Sequence, residues 1–159
     1  MAMHEPLRFK DGDRTWSWYS DVLVFCPRCN ERALVHRAGD AAYSARLVCD
    51  SCSLVEQRNE RFPIYYGRPV DPFFGFPLWL QAQFRNHVLW AYNREHAELL
   101  LEFVAANLRE RAPDVPPGSR SDDRSETMTM IETQPKWIKA AKNRESLVAL
   151  LYELLAKAE

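Results

Sequence analysis

The chain has 159 residues, of which 47% are hydrophobic and 27% charged, a composition typical of one average globular domain or two small ones. Mean hydropathy is -0.41, and no apolar run approaches the ~18 residues of a membrane span, so no membrane partner is expected. The 21 basic and 22 acidic side chains give a net charge of -1, whereas proteins that bind phosphate backbones usually carry a basic surplus.

The amino-terminal stretch, MAMHEPLRFKDGD, is polar and charged and lacks the apolar core of a signal peptide. We therefore expect a cytoplasmic protein. In that compartment thiols stay reduced, and clustered cysteines more often bind metal than form disulfides.

All four cysteines lie in two C-x-x-C pairs, 26-CPRC-29 and 49-CDSC-52, with nineteen residues between them. This spacing is typical of two zinc knuckles. The residue after each pair often has a left-handed backbone, which Asn30 tolerates better than Ser53. Four thiolates fill a tetrahedral shell, whereas catalytic zinc keeps one position open. The sequence therefore predicts one structural zinc ion bound by Cys26, Cys29, Cys49 and Cys52.

Other chemistries fit the cysteines less well. Rubredoxin-like iron also uses four cysteines, so the choice between zinc and iron stays open. A thioredoxin-like couple needs one pair at the start of a helix in a βαβ unit, which neither pair has. A cytidine-deaminase signature needs H-x-E before P-C-x-x-C, but 96-HAE-98 follows the cysteines. His96 is interpreted as a partly exposed structural histidine, and we expect no catalytic residue and no enzyme activity.

Strand patterns surround the cysteine pairs. Residues 33–37 and 43–48 are predicted to form two strands, and 53–58 a third. Two knuckles over such a small antiparallel sheet form a zinc ribbon.

Ten of the nineteen aromatic residues lie between residues 62 and 92. Residues 78–84 and 88–92 are predicted to form a β-hairpin that turns through 85–87. Most of these rings are expected in the core. The exposed minority is expected in the proline-flanked loop 73-FFGF-76, which makes Phe73, Phe74 and Phe76 candidate partner contacts.

The carboxyl-terminal half reads as helical. Asn93 is predicted to cap a helix over 94–112 that Pro113 ends. Residues 135–159 follow, with Pro135 suited to a first helical position and Asn143 predicted to cap a second helix with an apolar face. The basic residues of this segment lie next to a tryptophan and form the one spot where an anionic partner could dock: Lys136, Trp137, Lys139, Lys142 and Arg144.

We predict an α+β fold with an N-terminal four-cysteine zinc ribbon, antiparallel β-hairpins, and then two or three C-terminal helices. The expected division follows the composition of the chain: 1–60 as the ribbon with an N-terminal extension, 61–112 as an aromatic hairpin plus helix packed on the ribbon, 113–134 as a linker or loop, and 135–159 as a helical segment.

Three segments carry a family resemblance: the paired C-x-x-C ribbon, 71-DPFFGFPLWLQ-81 followed by 89-LWAYN-93 and a helix, and 136-KWIKAAKNR-144. On these the chain resembles a functionally uncharacterised group of small bacterial proteins described as transcription-factor-IIB-type zinc-ribbon-containing. The resemblance implies that the four cysteines are zinc ligands. Additional cysteines in 83-QFRNH-87 would have indicated a second metal site. This stretch contains none, so the resemblance implies only one metal ion.

The expected function is non-enzymatic binding of a macromolecule. The balanced charge favours a protein partner, and an inhibitor or immunity-type role fits that expectation. The alternative is a nucleic-acid-binding or transcription-associated accessory factor that uses the basic 136–144 segment and exposed aromatics. No small-molecule substrate is expected.

Overall fold

The structure, a computed structural model, describes residues 8–9, 21–37, 44–58, 68–106, 108–109 and 134–159. The expected α+β fold is confirmed: an antiparallel ribbon carries the four cysteines, a second hairpin follows, and helices complete the chain. The predicted linker 113–134 lies outside the described residues except for its last position.

The ribbon is a four-stranded antiparallel sheet in the order β2-β3-β4-β5. In chain order the first strands are β1 (Arg8–Phe9), β2 (Asp21–Phe25), β3 (Arg32–Arg37), β4 (Ala45–Val48) and β5 (Val55–Arg58). The last three match the predicted strands, with ends shifted by one or two residues. The sequence analysis missed β2, although Val22 and Val24 alternate with less buried neighbours and are themselves fully buried.

Strand β2 connects the ribbon to the aromatic part of the chain. On one edge it pairs with β3. On the other, the Leu23 N–H donates to the Tyr92 carbonyl at 2.9 Å, and the Trp79 N–H donates to the Leu23 carbonyl at 3.0 Å. Both edges of β2 are therefore hydrogen-bonded, and these bonds join the ribbon sheet to the residues that flank the next hairpin.

The aromatic hairpin consists of β6 (Leu80–Phe84) and β7 (His87–Ala91). The predicted hairpin is confirmed, but its turn is shorter than expected, because only Arg85 and Asn86 lie between the strands. Arg85 has a left-handed backbone, with φ of 50°. A hydrogen bond of 2.7 Å from Gln83 Nε2 to the Arg85 carbonyl closes the turn.

Helix α1 (Arg94–Ala105) begins as predicted, since the Asn93 side chain accepts a hydrogen bond from the His96 N–H at 2.9 Å. The predicted end at residue 112 is wrong. Ala106 is extended, and β8 (Leu108–Arg109) pairs in parallel with β1. Strand pairing supplies the backbone hydrogen bonds that a longer helix would have supplied, so tertiary context overrides the helical propensity of this stretch.

The carboxyl-terminal segment contains a short helix α2 (Lys136–Lys139), a 3₁₀ turn (Ala141–Asn143) and helix α3 (Arg144–Lys157). Pro135 directly precedes the first helical residue rather than occupying it. Asn143 lies at the N-cap position of α3, but its side chain makes no capping bond. Its Nδ2 donates to the Trp137 carbonyl at 2.9 Å.

One hydrophobic core joins these elements. Cys26 and Cys49 of the ribbon belong to the same buried cluster as Leu80 and Leu89 of the hairpin and the leucines of the helices. Helix α3 packs on α1 and β6. Searched over the described ranges, no helix combines the length and apolar character needed to cross a membrane.

The loop before the hairpin is organised around Asp71, which is fully buried. Its carboxylate accepts backbone N–H bonds from Phe73 at 2.9 Å and from Phe74 and Phe76 at 2.6 Å each. Burial raises the pKa of this carboxyl group, and the same N–H bonds oppose that rise. Phe73 is itself only 7% exposed, so the expectation of an exposed loop tip is wrong for this residue, while Phe74 and Phe76 are partly buried against the core.

We predict that Asp71→Ala lowers the free energy of unfolding by about 3 kcal/mol, because three buried N–H groups lose their acceptor. Urea unfolding followed by circular dichroism measures the change. Glu153→Ala, which removes an exposed carboxylate from α3, is the matched control and should change the free energy by less than about 0.5 kcal/mol. Equal effects of the two substitutions would contradict the role given to Asp71.

Candidate metal centre

Two equivalent knuckles bring the cysteines together, one between β2 and β3 and one between β4 and β5. After each pair the chain turns through a left-handed residue, Asn30 with φ of 63° and Ser53 with φ of 62°. In the first knuckle the Asn30 N–H donates to the Cys26 carbonyl at 2.9 Å, and in the second the Cys49 N–H donates to the Leu54 carbonyl at 2.9 Å. The left-handed geometry that the sequence suggested for both positions is thus present.

The four Sγ atoms converge on one point. All lie within 4.8 Å of one another, with 3.6 Å between Cys26 and Cys52 and 3.5 Å between Cys29 and Cys49. No disulfide joins them, since a disulfide would need a separation of about 2.05 Å. The predicted ligand set is therefore assembled in the geometry of a group that could hold a metal ion.

The backbone of the first knuckle stabilises the thiolate form of Cys26. Burial alone would raise the pKa of this thiol, but N–H bonds from the backbone of Cys29 and Arg28 lower it to about 7. The Arg28 N–H lies 3.4 Å from the sulfur. Hydrogen bonds to the charged form stabilise it, so one thiolate forms readily near neutral pH.

The remaining thiols show why this cluster favours a cation. The Glu31 N–H lowers the pKa of Cys29, but burial and the neighbouring sulfurs of Cys49, Cys26 and Cys52 outweigh it and raise the pKa to about 12. The pKa of Cys52 is also raised, mainly by burial. Several thiolates cannot coexist here without a positive ion between them, and binding a divalent metal would release their protons.

His96 is not a ligand of this cluster. It is 1% exposed, so the prediction that this histidine is partly exposed is wrong. Its Nδ1 accepts the Tyr92 N–H at 3.0 Å, and its ring stacks against Tyr92 with 5.4 Å between centroids. Burial lowers the pKa of His96 to about 3, so the imidazole is neutral and structural at pH 7.

The other predicted site residues fall into two groups. Lys136, Trp137 and Lys142 line a cleft of about 350 Å³ together with the turn of the aromatic hairpin. We call this the hairpin cleft; its lining residues are 84–87, 136–137, 140 and 142–143. Lys139 and Arg144 do not line it. The sequence analysis missed the contribution of Arg85 and His87, because the hairpin and the basic segment lie about fifty residues apart in the chain.

Comparisons with models of protein families, with characterised proteins and with solved structures found no match. The resemblance to zinc-ribbon-containing bacterial proteins therefore stays a prediction.

Removing one ligand should release the metal and destabilise the whole core. We predict that Cys49→Ser lowers metal content to well below one ion per chain and the free energy of unfolding by more than about 3 kcal/mol, since metal binding is coupled to folding. Ser51→Ala, an exposed position in the same knuckle, is the control and should change neither. Elemental analysis and urea unfolding measure both quantities, and full metal occupancy in Cys49→Ser would count against the four-ligand site.

Acid should destabilise the fold through His96. The folded-state pKa of about 3 lies below the ordinary histidine pKa of 6.5, so the unfolded chain binds the extra proton first as pH falls. The contribution of neutral His96 is therefore complete above pH 6.5 and declines as pH falls towards 3, by about 1.4 kcal/mol per pH unit.

His96→Asn keeps an acceptor near Nδ1 but cannot become charged, so the difference in stability between the two proteins should narrow as pH falls. Metal-ligand protonation contributes to both proteins and cancels in this difference. Unfolding curves between pH 4.5 and 7.5 measure it, and a difference independent of pH would show that His96 is not buried in its neutral form.

Proposed function

We propose that this is a non-enzymatic, cytoplasmic zinc-ribbon protein that binds a macromolecular partner, with a single structural zinc ion held by Cys26, Cys29, Cys49 and Cys52. The convergence of four sulfurs carries this proposal. A tetrahedral zinc ion with Zn–S bonds of about 2.3 Å has sulfurs about 3.8 Å apart. The separations of 3.5 Å between Cys29 and Cys49 and 3.6 Å between Cys26 and Cys52 are close to this value. Such a shell is closed and leaves no position for water or substrate.

The choice of zinc over iron rests on the chain spacing, because two C-x-x-C pairs nineteen residues apart are typical of zinc knuckles. The same pattern underlies the resemblance to the bacterial zinc-ribbon-containing group, in which we propose membership. Elemental analysis distinguishes the two ions directly.

The position of the site supports a structural role. Cys26 and Cys49 are buried within the core that also contains α1 and α3, so an ion there stabilises the relative positions of ribbon, hairpin and helices. A rigid surface built in this way suits binding, because little side-chain and loop ordering remains to oppose association.

A protein is the partner we favour. Acidic and basic residues are balanced in each of three consecutive segments: ten of each in residues 1–72, four of each in 73–112, and seven basic against eight acidic in 113–159. This gives the molecule no overall attraction to a polyanion. An inhibitor or immunity-type function is the form of protein binding that we propose.

Nucleic-acid binding is the second candidate, and one observation favours it. The hairpin brings Arg85 next to Lys136 and Lys142, so the basic segment is reinforced by a cation from another part of the chain. The remaining candidates of that segment, Lys139 and Arg144, lie outside the cleft.

Affinity capture of the full, metal-loaded chain from its native host separates the two candidates. We expect one stoichiometric protein partner which, once purified, reforms a 1:1 complex by light scattering. Its affinity should change less than about threefold between 50 and 300 mM salt, because surface charges contribute little to a balanced interface.

The double variant Lys136→Gln/Lys142→Gln should retain this partner with unchanged affinity. Co-purification of nucleic acid that is lost in the double variant and at high salt would contradict protein binding and establish the second candidate. Recovery of neither a protein nor a nucleic acid would argue against the binding function as a whole.

A further inference from the structure

The hairpin cleft is a concave site that the metal centre does not use. It lies where the turn between β6 and β7 meets the segment that holds α2 and the following 3₁₀ turn, and its volume is about 350 Å³. Pockets that enclose small organic ligands begin at about this size. The cleft is therefore large enough for one compact ligand and too small for a folded partner.

The charge of the cleft is one-sided. Arg85, Lys136 and Lys142 line it, and no acidic residue of the described chain does. Lys136 and Lys142 are exposed and form no ion pair with any described residue. In a chain whose charges otherwise cancel, three cations around one cavity create a local positive potential that favours a small anion such as a phosphate group.

Aromatic rings form the wall beside these cations. Trp137 is stacked on His87, with 4.6 Å between centroids and 7° between planes, and on Phe84 at 5.5 Å and 15°. The Arg85 guanidinium lies 5.1 Å from the centre of the Phe84 ring. Flat rings next to cations are the combination that binds a nucleobase and its phosphate together.

Asn143 supplies an independent observation. It lines the cleft and is only 3% exposed. Because its Nδ2 donates to the Trp137 carbonyl, its Oδ1 is an acceptor, and this oxygen has no hydrogen-bond partner in the part of the chain that the structure describes. A buried acceptor without a partner costs free energy. Because this oxygen is also shielded from solvent, a ligand N–H or O–H would recover that cost only after a small widening of the cleft. Nucleobases and ribose both carry such donors.

We propose that the hairpin cleft binds one nucleotide unit. Lys136, Lys142 and Arg85 hold the phosphate, and the base packs against the Trp137 stack. A small widening of the cleft lets a base or ribose donor reach Asn143 Oδ1. A free nucleotide and a nucleotide within a single strand share this chemistry. The site is independent of the protein partner proposed above. It deepens the second candidate function, with which it shares Arg85, Lys136, Trp137 and Lys142.

Isothermal titration calorimetry on the full, metal-loaded chain tests the site with named probes. These are the four ribonucleoside 5′-monophosphates, ribose 5-phosphate, hexauridylate and an acidic hexapeptide. We expect at least one monophosphate or the hexauridylate to bind at least about fivefold more tightly than ribose 5-phosphate, because base stacking contributes on the order of 1–3 kcal/mol, or about five- to 150-fold.

The two sources give different results. Hexauridylate binding at least tenfold tighter than uridine 5′-monophosphate identifies a single strand as the source, and equal or weaker binding identifies the free nucleotide. Ribose 5-phosphate binding as tightly as every nucleotide, binding of the peptide alone, or binding of no probe would each overturn the proposal.

Variants then assign the binding to the cleft. Lys136→Gln/Lys142→Gln, both exposed positions, should weaken nucleotide binding at least about tenfold, since charge-assisted contacts to phosphate are lost. Arg46→Gln, an exposed cation on β4, is the control and should bind like the parent. Metal content and circular dichroism confirm that each variant is folded. Oligonucleotide binding that survives the double substitution would overturn both the cleft and the use of the basic segment. The protein-partner proposal, which does not depend on these lysines, would stand.

Discussion

Four sulfur atoms that must share a volume only 4.8 Å across are the constraint on which the rest of the fold depends. Two left-handed residues, Asn30 and Ser53, let the knuckles turn tightly enough to bring them there. Neither is glycine, so each carries a conformational cost that the closed site has to offset. Without a cation, burial and the neighbouring sulfurs favour the protonated form of Cys29 and Cys52, whose pKa values are raised.

The consequences of this constraint extend beyond the ribbon because β2 has partners on both edges. It leads into the first knuckle at Cys26 and pairs with β3 on one edge. On its other edge it accepts a hydrogen bond from Trp79 and donates one to Tyr92. The carboxyl-terminal end of α3 also returns to the ribbon. Arg32 donates to the last two carbonyl groups, and the Lys157 ammonium group lies 4.9 Å from the centre of the Trp79 ring. The ion would therefore stabilise helices distant from it in the chain.

The sequence predicted those features that depend on local chemistry. The cysteine spacing identified the ligand set, the alternation in 78–84 identified the hairpin, and Asn93 identified the start of α1. The features it missed depend on contacts between distant segments. Helix α1 ends early because β8 pairs with β1, Phe73 is buried because Asp71 binds the backbone of its loop, and Asn143 donates to Trp137 rather than capping α3. The flanking prolines located this loop in the sequence, but the burial of Phe73 depends on the hydrogen bonds to Asp71, which no local pattern predicts.

The hairpin cleft shows the same limit. Lys136, Trp137 and Lys142 were recognisable as a basic and aromatic cluster, but Arg85 and His87 join them only in the folded chain. The net charge of the sequence does not reveal such a site, because it is the same whether three cations are clustered in the fold or scattered over the surface.

X-ray absorption spectroscopy at the metal edge of the purified, metal-loaded protein tests the central claim most directly. The closed structural site predicts one zinc ion per chain with four sulfur neighbours at about 2.3 Å and no lighter ligand. A shell that contains oxygen or nitrogen, or fewer than four sulfurs, would contradict a purely structural ion and reopen the question of catalysis.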